Sequence, residues 1–465
     1  MKINLIFSLL LLMTSFQLMA GDDGYKINIK IEGYESEEPV RMGYHFGDKQ
    51  YLTDSVTLDD KGYGVFEGEE ALKGGIYFIV VPEHGFFEFI VTEQHFSLET
   101  KLDDYAGSMK VKGSEENTVY YDYLKFIQQQ NVRANEFKAL RDSTSKTDEK
   151  AKWQEALTKL DKEVKQFRRR MEKQHPNSFT VKFLKSYDEV KVPDAPKDAN
   201  GNITDSLFQY KYYKAHFFDN VDLTDNRMAR TPVLDKKVKK YLDNVIPQIP
   251  DSLVVAVDRL LIDAKPAEDV FKYFSTLMLN KYAKSKIMGQ DAVYVHLVDN
   301  YFAKGMTTWV DSVQLFKIKD RADMMRPNLI GKQAPPLRLK DRDGEWHDIY
   351  KMEAEYIVLY FWDPDCGHCK KSTPKIVDFY ENYKAKGVQV IAITTEHEED
   401  KWLKYLDEKQ LPFLNLADLN YRNNFRRLYD ISGTPRIFIL DKDRKIVGKR
   451  IGAEQLPMFM DMVIK

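Results

Sequence analysis

Residues 25–112 carry a hydrophobic period near two. Tyr25, Ile27, Ile29 and Ile31 alternate with polar neighbours, and strand-like runs follow at 40–46, 51–58, 75–81, 86–91 and 95–100, with Gly, Asp and Pro between them. Successive side chains of a strand point to opposite faces, so these runs predict half-buried strands, and several short ones in a row predict an antiparallel sandwich or barrel. From about Ser114 the period lengthens. Within 146–174, Trp153, Leu157, Leu160, Val164 and Phe167 recur at spacings of three and four, which gathers them on one helix face. Pro176, Pro193, Pro196, Gly201, Pro232, Pro247, Pro250 and Pro266 divide the stretch to about 325 into helices joined by turns, with an exposed loop expected over 188–205. Beyond about Pro327 both periods occur. A continuous apolar run at 356–362 precedes a helical stretch at 367–386; strands at 388–394, 413–416, 436–440 and 445–450 are then interspersed with helices at 398–410, at 422–429 and from Ala453. That alternation predicts an α/β domain around a central sheet. The expected layout is a β-sandwich-like domain at 21–112, an all-α domain at 113–326 and an α/β domain at 327–465.

A length of 465 residues suits about three domains. The composition, 43% hydrophobic and 31% charged, is that of an ordinary globular chain and excludes a disordered or collagenous one. Seventy Lys+Arg against 72 Asp+Glu leave a net charge of -2, which gives no electrostatic ground for a nucleic-acid partner. Residues 21–112 hold 9 basic and 19 acidic side chains, an imbalance that a solvated acidic surface accounts for. Arg168, Arg169 and Arg170, set between Glu163 and Glu172, likewise read as a solvated helix face.

The N-terminus carries an address. Lys2, the apolar run at 3–13 and the small residue Ala20 before Gly21-Asp22-Asp23 have the form of a secretory signal peptide at 1–20, cleaved near Ala20. The run is too short for a dependable membrane span, and no cysteine follows the cleavage point to take a lipid anchor. Export without stable membrane insertion is therefore expected, into the periplasm if the chain is bacterial.

The chemistry concentrates on the two cysteines, Cys366 and Cys369, which follow the buried strand and open the helix. A thiolate at a helix N-terminus is stabilised by unpaired backbone N–H groups and the helix dipole, and a protonated His368 beside it adds to the effect. Cys366, at the exposed end, is the expected attacking thiol. Cys369, one turn in, is placed to attack the sulfur of Cys366 in a mixed disulfide. A purely structural disulfide over so short a loop contributes only about 2 kcal/mol. Zinc needs four ligands, and His347 and His397 follow no ligand spacing. A peroxidase motif of the Pro-x-x-x-Thr-x-x-Cys type requires Thr where Asp363 stands. No metal or organic cofactor is expected.

With these residues in view, the segment Tyr360-Phe361-Trp362-Asp363-Pro364-Asp365-Cys366-Gly367-His368-Cys369-Lys370-Lys371, with Pro374 beyond it, resembles the active-site strand and helix of the thioredoxin superfamily. Gly433-Thr434-Pro435 resembles its cis-proline loop. Ile330-Gly331-Lys332-Gln333-Ala334-Pro335 and the additional elements between Glu398 and Tyr429 are similar to the secreted TlpA/ResA-like branch. The β-rich and helical segments upstream resemble uncharacterised modules that precede such domains in Gram-negative envelope proteins. The resemblance implies a C-terminal α/β thioredoxin fold, with Cys366 as nucleophile and Cys369 as resolving thiol. It further implies a cis Pro435 and a Thr434 backbone able to pair with an extended substrate segment, and a kink at Pro374. Two positions depart from the pattern: Tyr360 stands where classical thioredoxins carry a buried Asp, and Ser372 where ResA-like proteins carry Glu. The Gly-His dipeptide between the cysteines is similar to that of protein disulfide isomerase.

The leading expectation is a thiol–disulfide oxidoreductase acting on protein substrates that bear thiols or disulfides, as a reductase supplied by a membrane electron donor. The alternatives are a disulfide oxidase or isomerase, or an envelope binding protein whose thioredoxin domain is a passive scaffold.

Overall fold

In the computed structural model, which describes residues 24–464, the alternating N-terminal segments build two four-stranded sheets. The expected signal peptide at 1–20 lies outside the described residues. One sheet runs in the order Tyr63–Gly68, Tyr25–Glu32, His95–Lys101, Lys110–Lys112, and the other in the order Lys49–Val56, Val40–Phe46, Gly75–Val81, Gly85–Val91. Ile27, Ile29, Ile31, Phe96 and Leu98 line the interior, and the Phe89 and Phe96 rings, 5.9 Å apart, join the two sheets. The expected antiparallel pairing fails at one place. Tyr25–Glu32 pairs antiparallel with Tyr63–Gly68 but parallel with His95–Lys101, and between these two partners the chain crosses to the second sheet and back once more. Two strands are not among those expected: Lys110–Lys112, which is too short to show a period, and Tyr63–Gly68, whose burial alternates around Phe66 although glycines at two of its positions hide the hydrophobic period.

Helix Glu115–Ser143 starts on this sandwich. Its Asn117 side chain both accepts from the Ile90 amide and donates to the Ile90 carbonyl, each at 2.7 Å, so one amide group continues the hydrogen bonding of the strand Gly85–Val91. The helix then pairs with Thr147–Gln174. Phe126 stacks on Phe167 at 4.0 Å and Phe137 on Trp153 at 5.7 Å, contacts that run in opposite directions along the two helices and define an antiparallel hairpin. Trp153 and Phe167 come from the apolar face read in the sequence. Arg168 departs from the solvated face expected for it: its guanidinium donates to Asp188 at 2.7 and 3.2 Å and to the Leu184 carbonyl at 2.7 Å.

The chain forms two compact units that divide in sequence between Lys237 and Val238. The second unit combines the helices Pro250–Ala264, Glu268–Ala283, Asp291–Leu297 and Ser312–Met325 with an α/β part. Its five-stranded sheet has the order Leu414–Leu416, Val388–Thr394, Tyr356–Trp362, Arg436–Leu440, Ile446–Lys449, parallel on one side of Tyr356–Trp362 and antiparallel on the other. The central strand is buried on both faces. Val358, Tyr360 and Trp362 pack with Ile376 and Phe379 of helix Gly367–Tyr383, with Trp402 and Leu406 of Glu399–Lys409, and with Leu456 and Met460 of Leu456–Val463. Ile357, Leu359 and Phe361 pack on the other side with Ala334, Leu337, Phe425 and Tyr429. The continuous apolar run at 356–362 thus reflects two cores served by one strand.

Differences from the expected elements are local. Arg338–Lys340 and Trp346–Asp348 form a hairpin too short to show a period, and the helix expected at 422–429 narrows to Phe425–Leu428. Among the described residues no helix is long and apolar enough to cross a membrane.

One buried ion pair joins the helices to this sheet. The Lys449 ammonium donates to the Asp291 carboxylate, to the Asn328 carbonyl at 2.6 Å and to the Asn328 side-chain oxygen at 3.0 Å, with both charged side chains 1% exposed. Burial opposes the charged form and brings the Lys449 pKa below its ordinary value, while Asp291 works in the other direction. Asp291→Ala leaves an uncompensated ammonium in the interior and is expected to destabilise this unit by about 3–5 kcal/mol. Joint replacement of both residues by apolar ones of similar volume is expected to restore most of that. Chemical denaturation followed through Trp362 and Trp402 fluorescence checks both outcomes, and a D291A protein as stable as wild type contradicts them.

Candidate active site

The doubly buried strand ends at Trp362, and the next residues form the turn Asp363-Pro364-Asp365 that delivers the chain to helix Gly367–Tyr383. An Asp363 carboxylate oxygen accepts from the Asp365 amide at 2.9 Å, and its other oxygen accepts from the Thr395 hydroxyl at 3.1 Å. This Asx turn orients the chain so that Cys366 becomes the residue that caps the helix (φ -73°, ψ 114°). A sulfur takes the place usually held by a Ser or Asp oxygen. Its Sγ accepts from the Cys369 amide at 3.2 Å, and as a thiol it donates to the Thr434 carbonyl at 3.4 Å.

The two thiols lie in different surroundings. Both are free rather than joined in a disulfide; Cys366 is half-buried and Cys369 fully buried. Partial burial alone raises the Cys366 pKa, but donation from the Cys369 thiol, from the Thr434 side chain and from the amides of Cys369 and His368 outweighs it, and the pKa falls below its ordinary value. Cys369 moves the other way. Burial, reinforced by its hydrogen bond to Cys366, pushes its pKa up to about 12 against opposing contributions from Thr434 and the Asp363 backbone. The arrangement therefore favours ionisation of the thiol at the solvent side and opposes it at the thiol behind.

The expected site residues come together here. Cys366, Cys369 and His368 share the first helical turn, and the Thr434-Pro435 peptide bond, which is cis, faces them from the neighbouring loop. His368 is exposed, and its amide is the part that reaches the Cys366 sulfur. Pro374 lies inside the helix, where its missing N–H frees the Lys370 carbonyl. Tyr360, at the position of the buried Asp of classical thioredoxins, is a packing residue. Its hydroxyl is within 3.0 Å of the Thr373 hydroxyl and donates to the Cys369 carbonyl at 3.4 Å, and burial raises its pKa.

Asp363, Asp365 and Glu396 bring carboxylate oxygens within 4.8 Å of one another beside the turn. The Lys401 ammonium supplies positive charge to that cluster, 3.7 Å from Asp365, 3.8 Å from Glu396 and 2.8 Å from Glu398. Thr395, Thr373 and Lys401 escaped sequence reasoning, since no spacing motif links them to the cysteines. The one available signal was that Thr395 directly follows a predicted strand next to the active-site strand.

A capped dithiol beside a cis-proline loop, on a mixed sheet with helices on both faces, defines a thioredoxin-fold thiol–disulfide oxidoreductase. In this domain the chain is similar to the TlpA/ResA-like thiol–disulfide oxidoreductases. Residues 330–449 match the AhpC/TSA family, and residues 159–328 match a domain of unknown function, DUF5106. Thiol-disulfide oxidoreductase ResA of Bacillus cereus is 29% identical over 137 residues, 29% of this chain and 78% of that protein. A crystal structure of a domain of a possible thiol-disulfide isomerase from Cytophaga hutchinsonii is 40% identical and corresponds to 29% of this chain and 92% of that one, with a TM-score of 0.28. A thioredoxin-like protein from Bacteroides caccae, 19% identical, corresponds to 59% of this chain and 99% of that one, with a TM-score of 0.48.

The unequal environments predict unequal reactivity. Alkylation of the reduced protein by iodoacetamide is expected to modify Cys366 with an apparent pKa below that of an ordinary thiol, and to modify Cys369 only at strongly alkaline pH. Mass spectrometry of peptides across a pH series measures both, and equal rates at the two residues contradict the assignment.

Proposed function

We propose that the protein is a periplasmic reductase of protein disulfides, with Cys366 as nucleophile, Cys369 as resolving thiol, His368 contributing to thiolate stabilisation, and Thr434 and Pro435 forming the substrate-facing loop. The observation that carries this reading is the placement of a stabilised sulfur at a helix N-cap, within 3.4 Å of the Thr434 carbonyl.

The chemistry follows in two steps. The Cys366 thiolate attacks one sulfur of a substrate disulfide, forming a Cys366–substrate disulfide and releasing the other substrate sulfur as a thiolate. Cys369 then loses its proton to a departing sulfur and attacks Cys366, forming the Cys366–Cys369 disulfide and expelling the second substrate sulfur. Two electrons pass from the dithiol to the substrate. The high pKa of Cys369 keeps it protonated until the mixed disulfide has formed. That event removes the Cys366 thiolate, and with it the negative charge that opposes ionisation of Cys369. A membrane protein that faces the same compartment would return the electrons, in keeping with the resemblance to secreted TlpA/ResA-like proteins, and the signal-like segment at 1–20 is the support for export.

Purified protein is expected to reduce insulin with dithiothreitol as electron source, and Cys366→Ser to fall to the uncatalysed rate. Equal turnover of the two would instead favour a passive scaffold. Cys369→Ser is expected to accumulate mixed disulfides with substrate, visible as mass shifts lost on reduction. A reduction potential near about -270 mV suits the reductase role, and one near about -120 to -180 mV assigns the protein to oxidation or isomerisation.

A further inference from the structure

The residue after the cis proline leads into a second feature. Pro435 and Arg436 line a cavity of about 410 Å³, together with Ser285 and Lys286 beyond the helix Glu268–Ala283, with Arg321 of the helix Ser312–Met325, and with Arg450. Three arginines and one lysine line it, and Asp430 is the acidic partner of Arg321 and Arg450. Asp430 gives both carboxylate oxygens to Arg321, one of them at 3.0 Å, and lies 4.0 Å from Arg450. Arg450 also donates to the Ser285 carbonyl at 2.5 Å. Arg436 makes no ion pair among the described residues. It donates to the Ser432 hydroxyl at 3.2 Å, and its Nε is buried with no acceptor. Burial first, then the proximity of Arg450 and Arg321, lower the pKa of Arg436 against the opposing effect of Asp430. The lining carries more positive than negative charge, which suits a further anion. A guanidinium fork with a free, buried donor fits a carboxylate in two-point geometry.

The position decides what that anion belongs to. The cavity begins at Pro435 itself, and the carbonyl of the preceding Thr434 lies 3.4 Å from the reactive sulfur. A substrate segment whose cysteine meets Cys366 beside Thr434 lies against the loop that continues, through Pro435, to Arg436. We infer that the Arg436, Arg450 and Lys286 cavity is a specificity subsite for an aspartate or glutamate side chain within a few residues of the substrate's reactive cysteine. The inference rests on the disulfide-reductase reading above and adds to it a substrate class: proteins whose redox-active cysteine lies in an acidic segment. It also assigns work to the helical part of this unit, which contributes Lys286, Arg321 and the Ser285 carbonyl to the cavity.

The test uses single-turnover reduction by the reduced protein of peptides that carry one cysteine as a mixed disulfide with mercaptoethanol. A glutamate is placed in turn at each of the nearest positions on either side, and each peptide is compared with its glutamine counterpart. Bis-hydroxyethyl disulfide serves as the uncharged small substrate. At one or two placements the glutamate peptide is expected to react about tenfold faster than its glutamine counterpart, the factor that a charge-assisted hydrogen bond supplies, with the ratio shrinking as salt is added. In Arg436→Gln the ratio is expected to fall towards one, and in Arg436→Lys, which keeps the charge without the fork, to an intermediate value. Ratios near one in the wild-type protein at every placement overturn the inference without any need for the variants. So does an equal preference at all placements that survives in both R436Q and R450Q. If bis-hydroxyethyl disulfide reacts in those cases, the reductase reading stands and only the subsite falls; if no disulfide reacts, both fall.

Discussion

Two-sided burial of one strand is the constraint on which the second unit depends. Tyr356–Trp362 sends alternate side chains into opposite cores, so neither core can be assembled without fixing the position and twist of this strand. Its last residue, Trp362, is clamped against Tyr405 with ring centroids 4.6 Å apart, and its carbonyl accepts from the Thr395 amide at 2.7 Å. The turn that follows therefore leaves from a rigid point. A sulfur at the end of that turn is placed by packing interactions that have nothing to do with redox chemistry, which is how a reactive group is held steady without strain of its own.

The chemistry of the pair follows from where each cysteine falls on the helix. At the cap, a side chain meets N–H groups that have no other partner, and sulfur in that place is stabilised when negative. One turn later, the side chain is inside the core with Tyr360, Thr373 and Ile376, where a charge is disfavoured. Two residues of the same type, three positions apart, thus acquire opposite pKa displacements from helix geometry and burial. The protonated inner thiol in turn donates to the outer one, so the asymmetry reinforces itself.

The helices that precede the thioredoxin-like part of this unit are anchored to it by Lys449, whose ammonium is enclosed by Asp291 and Asn328. A buried ion pair is a weak source of stability but tolerates few alternative arrangements, because a shifted helix would leave either charge alone in the interior. The same docking brings Arg321 to Asp430 and the Ser285 carbonyl to Arg450, so the composition of the surface beside the cis-proline loop depends on it.

Much of this was legible in the chain itself. The continuous apolar run at 356–362, the Cys-Gly-His-Cys segment at a strand-to-helix junction and the Gly-Thr-Pro before another apolar run are local signals, since they arise from strand periodicity, helix capping and turn chemistry within a few residues. Elements without enough length to show a period, such as Arg338–Lys340 and Lys110–Lys112, were not legible, and the parallel pairing of Tyr25–Glu32 with His95–Lys101 was not either, because register is a contact between distant segments. By itself the sequence determined the class of the longer segments and the identity of the reactive pair, since periodicity and capping are local. Only the tertiary structure decided that Thr434 reaches the Cys366 sulfur, that Tyr360 packs beneath Cys369, and that Arg321, Arg436 and Arg450 share one cavity. Those relations join residues far apart in the chain, and packing and desolvation, which act through space, bring them together.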